Sequence, residues 1–161
     1  MTISRPDGRF LVSRPAHFLA LGLGAGLAPK APGTVGTLVA LPIYGLLTLS
    51  GSALLYWLAV AAALGIGVWA CGATSRALGV PDHGGIVWDE IAAFLLVLPF
   101  APQDVPGFLL AFALFRLFDI WKPFPIRWLD AQVHGGLGIM LDDVAAAAYA
   151  VLCLMGVSAW M

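Results

Sequence analysis

Two pairs of adjacent carboxylates and one short run of mixed charge are the groups in this sequence best suited to chemistry. Asp89 and Glu90 stand in "IVWDEIAAF", and Asp142 and Asp143 stand in "GGLGIMLDDVAA". Adjacent carboxylates repel each other, and each is costly to remove from water, so something must compensate them. One explanation is purely structural: each pair precedes an apolar run that reads as a helix, and carboxylates in a first helical turn favour the positive end of the helix dipole. On that reading Asp142 and Asp143 open the last helix, as Asp89 and Glu90 open an earlier one. Two acidic pairs at two helix starts on one face ask for more. If they converge, either some are protonated or a divalent cation sits among them. Oxygen donors favour a hard ion, and Mg²⁺ typically takes one or two carboxylates and keeps several waters.

The mixed run is "FRLFDIWKPFP" (115–125). Arg116, Asp119 and Lys122 are spaced i, i+3, i+6, which on a helix confines them to an arc of roughly 120°. As intrahelical ion pairs they would be worth only a few tenths of a kcal/mol. As an anion clamp, Arg116 would grip phosphate oxygens through its planar fork and Lys122 would add a point charge. Pro123 and Pro125 then end the helix. A fourth stretch, "GLGAGLAPKAPGTVGT" (22–37), suggests a helix N-terminus with exposed backbone N–H groups, Thr34 as N-cap and Lys30 beside it. No G-K-[ST] follows, so it is not a Walker A loop, and "GLGAG" also reads as a small-residue packing face. His17, His83 and His134 are scattered, and His134 beside Gly135 and Gly136 reads as a turn residue.

The elements that must hold these groups follow from composition. Hydrophobic residues make up 61% of the 161-residue chain and charged residues only 11%, against about 45–50% and about 25% in soluble domains. A soluble fold of this size could not hide so much apolar surface, so the expectation is an all-α, polytopic integral membrane bundle forming a single domain over 1–161, with 1–17 a basic N-terminal segment. That segment has the order of a signal peptide, but the following run is rich in glycine and "PKAPG" stands where a cleavage site should be, so it is expected to be retained. The net charge of −1 argues neither for nor against nucleic acid, but no basic run is present to neutralise its phosphates, so no nucleic-acid partner is expected. Cys71 and Cys153 lie in apolar stretches and read as packing residues, without zinc or disulfide spacing.

Spanning segments are expected at 34–51, 52–78, 86–101, 106–121 and 143–160, four to five in all, each near the ~20 apolar residues a bilayer needs. With short links between them, all eight Lys and Arg residues fall on one side. The positive-inside rule makes that side cytoplasmic. Asp82, Asp89, Glu90, Asp119, Asp130, Asp142 and Asp143 reach the same face, leaving Asp104 as the lone charge opposite. Acids at a membrane surface are functional candidates by default. Acids at mid-depth or on both faces would suit a cation- or proton-coupled transporter; a non-catalytic metal-binding scaffold would leave Arg116 and Lys122 without a task.

In this order, "GLGAGLAPKAPGTVGT", "IVWDEIAAF", "FRLFDIWKPFPIRWLD" and "GGLGIMLDDVAA" resemble the phosphatidylglycerophosphatase A family over about residues 18–158. The resemblance implies a Mg²⁺-dependent, multi-pass phosphatase of the bacterial inner membrane. It implies removal of the terminal phosphate of phosphatidylglycerophosphate, with the site facing the cytoplasm. Asp89, Glu90, Arg116, Asp119, Lys122, Asp142 and Asp143 stand at the family's charged positions, and Lys30, Pro32, Gly33 and Thr34 match its "PKAPGT" element. Joined to the residue chemistry, this assigns Asp89, Glu90, Asp142 and Asp143 to the metal. Arg116, Lys122, Lys30 and Thr34 go to the phosphate, and the catalytic acids are Asp89, Glu90, Asp119, Asp142 and Asp143. Direct attack by water is the expected reaction; an aspartyl-phosphate on Asp89, Asp119 or Asp142 is the alternative.

Overall fold

The computed structural model describes residues 5–159, and every regular element among them is helical. Two short helices, α1 (Gly8–Ser13) and α2 (Pro15–Ala20), and a 3₁₀ segment (Gly22–Leu27) lead into α3 (Pro32–Thr48), α4 (Ala53–Leu78) and α5 (Trp88–Val97). After a further 3₁₀ turn come α6 (Val105–Trp121), the short α7 (Ile126–Gln132) and α8 (Gly135–Ser158). Local chemistry sets most of the boundaries. Ser52 caps α4 through Leu55 N–H at 3.3 Å and Asp104 caps α6 through Gly107 N–H at 2.7 Å. Gly79 ends α4 in the left-handed region at φ 70°.

Two helices, α4 over 53–78 and α8 over 135–157, are long and apolar enough to cross a bilayer. The segments expected at 34–51 and 106–121 form α3 and α6, of 17 residues each and therefore about 25 Å long. The segment expected at 86–101 departs most. Its α-helix has 10 residues, and Ile91, Ala92, Ala93, Phe94, Leu95 and Val97 are all buried. A helix apolar on every side is either a membrane span or a core helix, and composition does not separate the two. Here α5 is the core: α3, α4, α6 and α8 all pack on it. Phe94 sits at its centre with Phe115 at 5.4 Å and Phe112 at 6.2 Å between ring centroids. The Tyr56 hydroxyl donates to Leu95 O at 2.6 Å and Trp88 Nε1 donates to Ala63 O at 2.9 Å, tying α4 to α5 at both ends.

The last helix starts earlier than its sequence suggests. Gly135 and Gly136 belong to α8, so Asp142 and Asp143 lie about two turns inside it and do not cap it. Gly136 shows why. A Cβ there would fall 1.8 Å from Val68 O, so only glycine lets α8 close onto α4. Thr34 is likewise inside its helix: the N-cap of α3 is Ala31, in the left-handed region at φ 46°, without a side-chain cap.

These choices gather the start of α3, the end of α4, the start of α5, the end of α6 and the start of α8 at one end of the bundle. Close approaches of Gly26 to Gly85, Gly33 to Glu90 and Gly72 to Gly136 mark that end. At the other end Tyr44 donates to Gln103 at 2.8 Å. Between the ends, α4 presents Leu54, Leu55, Leu58, Ile66 and Trp69 as an exposed apolar face. Soluble monomers rarely carry so continuous a patch.

Candidate active site at the charged end of the bundle

Each acidic side chain reaches the charged end by a different local device. Asp89 and Glu90 occupy the first turn of α5, as their sequence suggested. Asp142 and Asp143 are neighbours on α8, and neighbours on a helix point about 100° apart. They therefore face different partners. Asp142 meets Lys122, its Oδ2 accepting from Nζ at 2.6 Å. Asp143 lies in the combined field of Asp89, Asp119, Asp142 and Glu90. Trp88, beside Asp89, and Met140, two residues before Asp142, both press on Gly67 of α4, so the two acidic pairs lie at the same end of the packed helices α5 and α8. Asp89, Asp142 and Asp143 are 7%, 6% and 2% exposed, which takes them out of the class of solvated surface charges.

Arg116 and Lys122 enter from α6. Arg116 keeps the expected i, i+3 partner, with Nη1 at 2.6 Å from Asp119 Oδ2, and adds Glu90 Oε1 at 2.9 Å on the same nitrogen. Glu90 is pressed against α3, where a Cβ on Gly33 would fall 1.9 Å from its Oε1. Lys122 is not helical: it caps α6 in the left-handed region at φ 46°, and Pro123 follows. That turn brings its ammonium between Asp142 and Asp130, the latter at 3.1 Å. Burial would lower the pKa of Lys122, but hydrogen bonds and attraction from Asp142 and Asp130 outweigh it and hold it above the usual lysine value. Its charge is thus permanent at any working pH. Asp130, on α7, was not among the expected site residues. It lies in an unremarkable "IRWLDAQ", and only the chain reversal at Pro123–Pro125 turns it toward Lys122.

Five carboxylates (Asp89, Glu90, Asp119, Asp142 and Asp143) share this volume with two cations. Buried Asp89 Oδ1, Glu90 Oε2 and Asp142 Oδ1 have no hydrogen-bond partner, nor does Arg116 Nε. Buried polar atoms are normally paired, so orphaned anionic oxygens in excess of local cations are the signature of a group still to be bound. As arranged, no three Asp, Glu, His or Cys side chains among the described residues close around a single point. An ion that keeps most of its waters does not require such a cage, and the donors are hard oxygens throughout, so the residues fit Mg²⁺ by donor type. The Nε edge of Arg116 is equally suited to a phosphate, because both carboxylates occupy Nη1.

Lys30 and Thr34 are not drawn into this cluster. Lys30 is exposed and makes no ion pair among the described residues. Thr34 lines an apolar gap between α3 and α6. His134 is the exposed N-cap residue of α8 without a side-chain cap bond, consistent with a turn histidine. Cys71 is buried and Cys153 half-buried, both free.

The family model described as Phosphatidylglycerophosphatase A matches residues 18–158. A protein of that name from Escherichia coli (strain K12) is 46% identical over 139 residues, covering 86% of this chain and 80% of its own length. Another from Haemophilus influenzae is 42% identical over 163 residues, covering 100% of this chain and 99% of its own. A relative from Bacteroides thetaiotaomicron, 35% identical over 162 residues and covering 93% and 99%, is named provisionally as a phosphatidylinositol-3-phosphatase. No solved structure matches the chain significantly. The match spans every charged element of the site, from the glycine-rich turn before α3 to α8, and it places this chain in the phosphatidylglycerophosphatase A family, whose members are phosphoric monoester hydrolases.

Proposed function

We propose that this protein hydrolyses the terminal phosphomonoester of phosphatidylglycerophosphate, giving phosphatidylglycerol and phosphate, at the cytoplasmic face of the bacterial inner membrane. The observation that carries the reading is the excess of buried, partly unpaired carboxylates beside the free Nε edge of Arg116. The names of the two more similar relatives supply the lipid. A transporter is disfavoured because the titratable cluster sits at one end of the bundle, while the other end offers Asp104, already occupied as a helix cap. A scaffold leaves the unpaired guanidinium edge without a purpose.

In this reading Asp89, Glu90, Asp142 and Asp143 would hold a Mg²⁺ that keeps most of its waters, with Asp89 Oδ1, Glu90 Oε2 and Asp142 Oδ1 as the unpaired donors. When bound, the ion neutralises phosphoryl charge and acidifies a water. Arg116 holds the phosphate through Nε, oriented by Glu90 and Asp119 on its other side. Lys122, clasped by Asp130, fixes Asp142 and supplies a permanent positive charge at the rim. A carboxylate takes a proton from the attacking water as its oxygen bonds to phosphorus. The bond from phosphorus to the glycerol oxygen breaks, and that oxygen leaves with a proton. An aspartyl-phosphate on Asp89, Asp119 or Asp142 is the alternative course, and the stereochemistry of a chirally labelled phosphoryl group distinguishes them: one direct displacement by water inverts phosphorus, and two successive displacements retain its configuration.

The test is phosphate release from phosphatidylglycerophosphate by the purified protein. Exhaustive EDTA treatment is expected to abolish it and Mg²⁺ to restore it; full activity after chelation removes the metal from the reading.

The proposal also fixes a topology of four to five crossings with the charged end inside. Single cysteines replacing exposed His134 and exposed Gln103 report it, with buried Cys71 and half-buried Cys153 as background. In intact cells a membrane-impermeant maleimide is expected to label the Gln103→Cys protein and to reach His134→Cys only after the membrane is opened. Labelling of position 134 from outside overturns the orientation.

A further inference from the structure

We propose that the gap between α3 and α6 seats one acyl chain of the lipid substrate, so that the protein recognises its substrate by a tail as well as by a phosphate. The inference rests on the phosphatase reading and extends it. The gap encloses about 360 Å³ and is lined by Thr34, Leu38 and Leu41 of α3 and by Val105, Phe108, Leu109 and Phe112 of α6. On α3 these positions run i, i+4, i+7, and on α6 i, i+3, i+4, i+7, so each helix contributes a single straight stripe. The stripes are about 10 Å long at 1.5 Å per residue. The helices leave this space because α3 packs on α5 while α6 packs chiefly on α8.

Its two ends differ, and that difference identifies the occupant. One end is shut where the Tyr44 ring meets Phe108 edge-on at 6.1 Å and the Tyr44 hydroxyl donates to Gln103 at 2.8 Å. The other end points toward the charged end of the bundle. The next position along the α6 stripe after Phe112 is Arg116, whose Nε edge is unpaired. Thr34, the last lining residue on α3, follows Gly33, against which the Glu90 carboxylate is pressed. A slot that is apolar along its walls, blocked at one end and directed at the other toward a guanidinium one helical turn beyond its lining has the polarity of a single phospholipid leg: hydrocarbon below, phosphate above. Bulk lipid could coat the exposed Leu38 and Leu109 side chains, but it has no reason to be registered against Arg116. A substrate tail does, because its own phosphate is held there. This also gives Thr34 a place at the junction of headgroup and chain.

The experiment uses the full-length protein in phosphatidylcholine mixed micelles and has two arms. In the first, a non-hydrolysable phosphonate analogue of phosphatidylglycerophosphate carries a diazirine in one acyl chain. After irradiation, peptide mapping is expected to place the label on 34–41 and 105–112, and excess unlabelled analogue is expected to suppress it at least tenfold while excess phosphatidylcholine does not. In the second arm, Leu38→Trp fills the slot from an exposed position. The ratio of kcat/KM for dioleoyl over dihexanoyl substrate is expected to fall at least tenfold. Leu58→Trp, on the exposed face of α4, is expected to keep the wild-type ratio. Label spread evenly around the apolar belt, or label insensitive to the analogue, overturns the proposal. So does an unchanged chain-length ratio in Leu38→Trp. Competed labelling of the two stripes in a protein that releases no phosphate keeps the slot and refutes the reaction; normal phosphate release with uncompeted label does the reverse.

Discussion

Asp142→Asn is expected to lower turnover of phosphatidylglycerophosphate by roughly a hundredfold or more, the scale seen when one preorganised electrostatic group is removed from an active site. The substitution keeps the size of the side chain and leaves a carbonyl that still accepts from Lys122 Nζ, now 2.6 Å from Asp142 Oδ2. It takes away the negative charge and the unpaired Oδ1 as an anionic donor. The apparent Mg²⁺ requirement should rise along with the loss of turnover, and Mn²⁺ binding followed by electron paramagnetic resonance should weaken in the absence of substrate. Folding should not suffer, because Asp142 lies inside α8 and caps nothing. Asp130→Asn is the matching comparison. It removes the other partner of Lys122, but from a side chain that is 44% exposed, and exposed pairs contribute at most about 1 kcal/mol. Its expected effect on turnover is below about fivefold, the factor that 1 kcal/mol represents. Equal, small effects from both variants would reduce Asp142 to a structural partner of Lys122 and remove it from the metal set.

The contrast between these two acids shows what could be read from the sequence. Asp142 was legible because it is a charge embedded in an apolar run, and such a residue is conspicuous without any knowledge of its neighbours. Asp130 was not, because it is one charge in the mixed stretch "IRWLDAQ" and matters only through a contact made across the turn at Pro123–Pro125. The all-helical class and the gathering of charge at one end followed from hydropathy and the positions of Lys and Arg, which are local properties. The depth of Asp142 and Asp143 within α8 did not. Gly135 and Gly136 look like loop residues, and their place in the helix depends on the contact of Gly136 with Val68 O, a fact of tertiary packing. The role of α5 was hidden for a similar reason. Its apolar circumference suits lipid and a protein core equally, and only the packing of α3, α4, α6 and α8 around it decides between them. Lys30 and Thr34 were drawn toward the phosphate by motif proximity; neither joins the ionic cluster, and Thr34 lines the apolar gap between α3 and α6.

Arg116 is the residue on which sequence and structure together make the sharpest demand. Its spacing to Asp119 predicted an intrahelical pair, and that pair is present at 2.6 Å. The structure adds Glu90, 26 positions away, on the same Nη1 atom. Two carboxylates on one nitrogen orient the guanidinium plane and leave the Nε edge without a partner. A lysine in its place keeps the charge and can still pair with Glu90 or Asp119, but it has one nitrogen and no second edge. Arg116→Lys is therefore expected to preserve the fold and to lower kcat/KM for phosphatidylglycerophosphate by about tenfold or more, at least ~1.4 kcal/mol of transition-state stabilisation. Mn²⁺ binding without substrate should change far less than in Asp142→Asn, because Arg116 is assigned to the phosphate. Inhibition by inorganic phosphate should weaken in parallel with kcat/KM, a coupling that a purely structural ion pair would not produce. Near-normal kinetics together with a lowered melting temperature would return Arg116 to the role of an ion-pair strut between α5 and α6. The phosphate would then have to be held by Lys122, whose charge is guaranteed by Asp142 and Asp130 but whose three donors lack the geometry to fix a phosphoryl group in line.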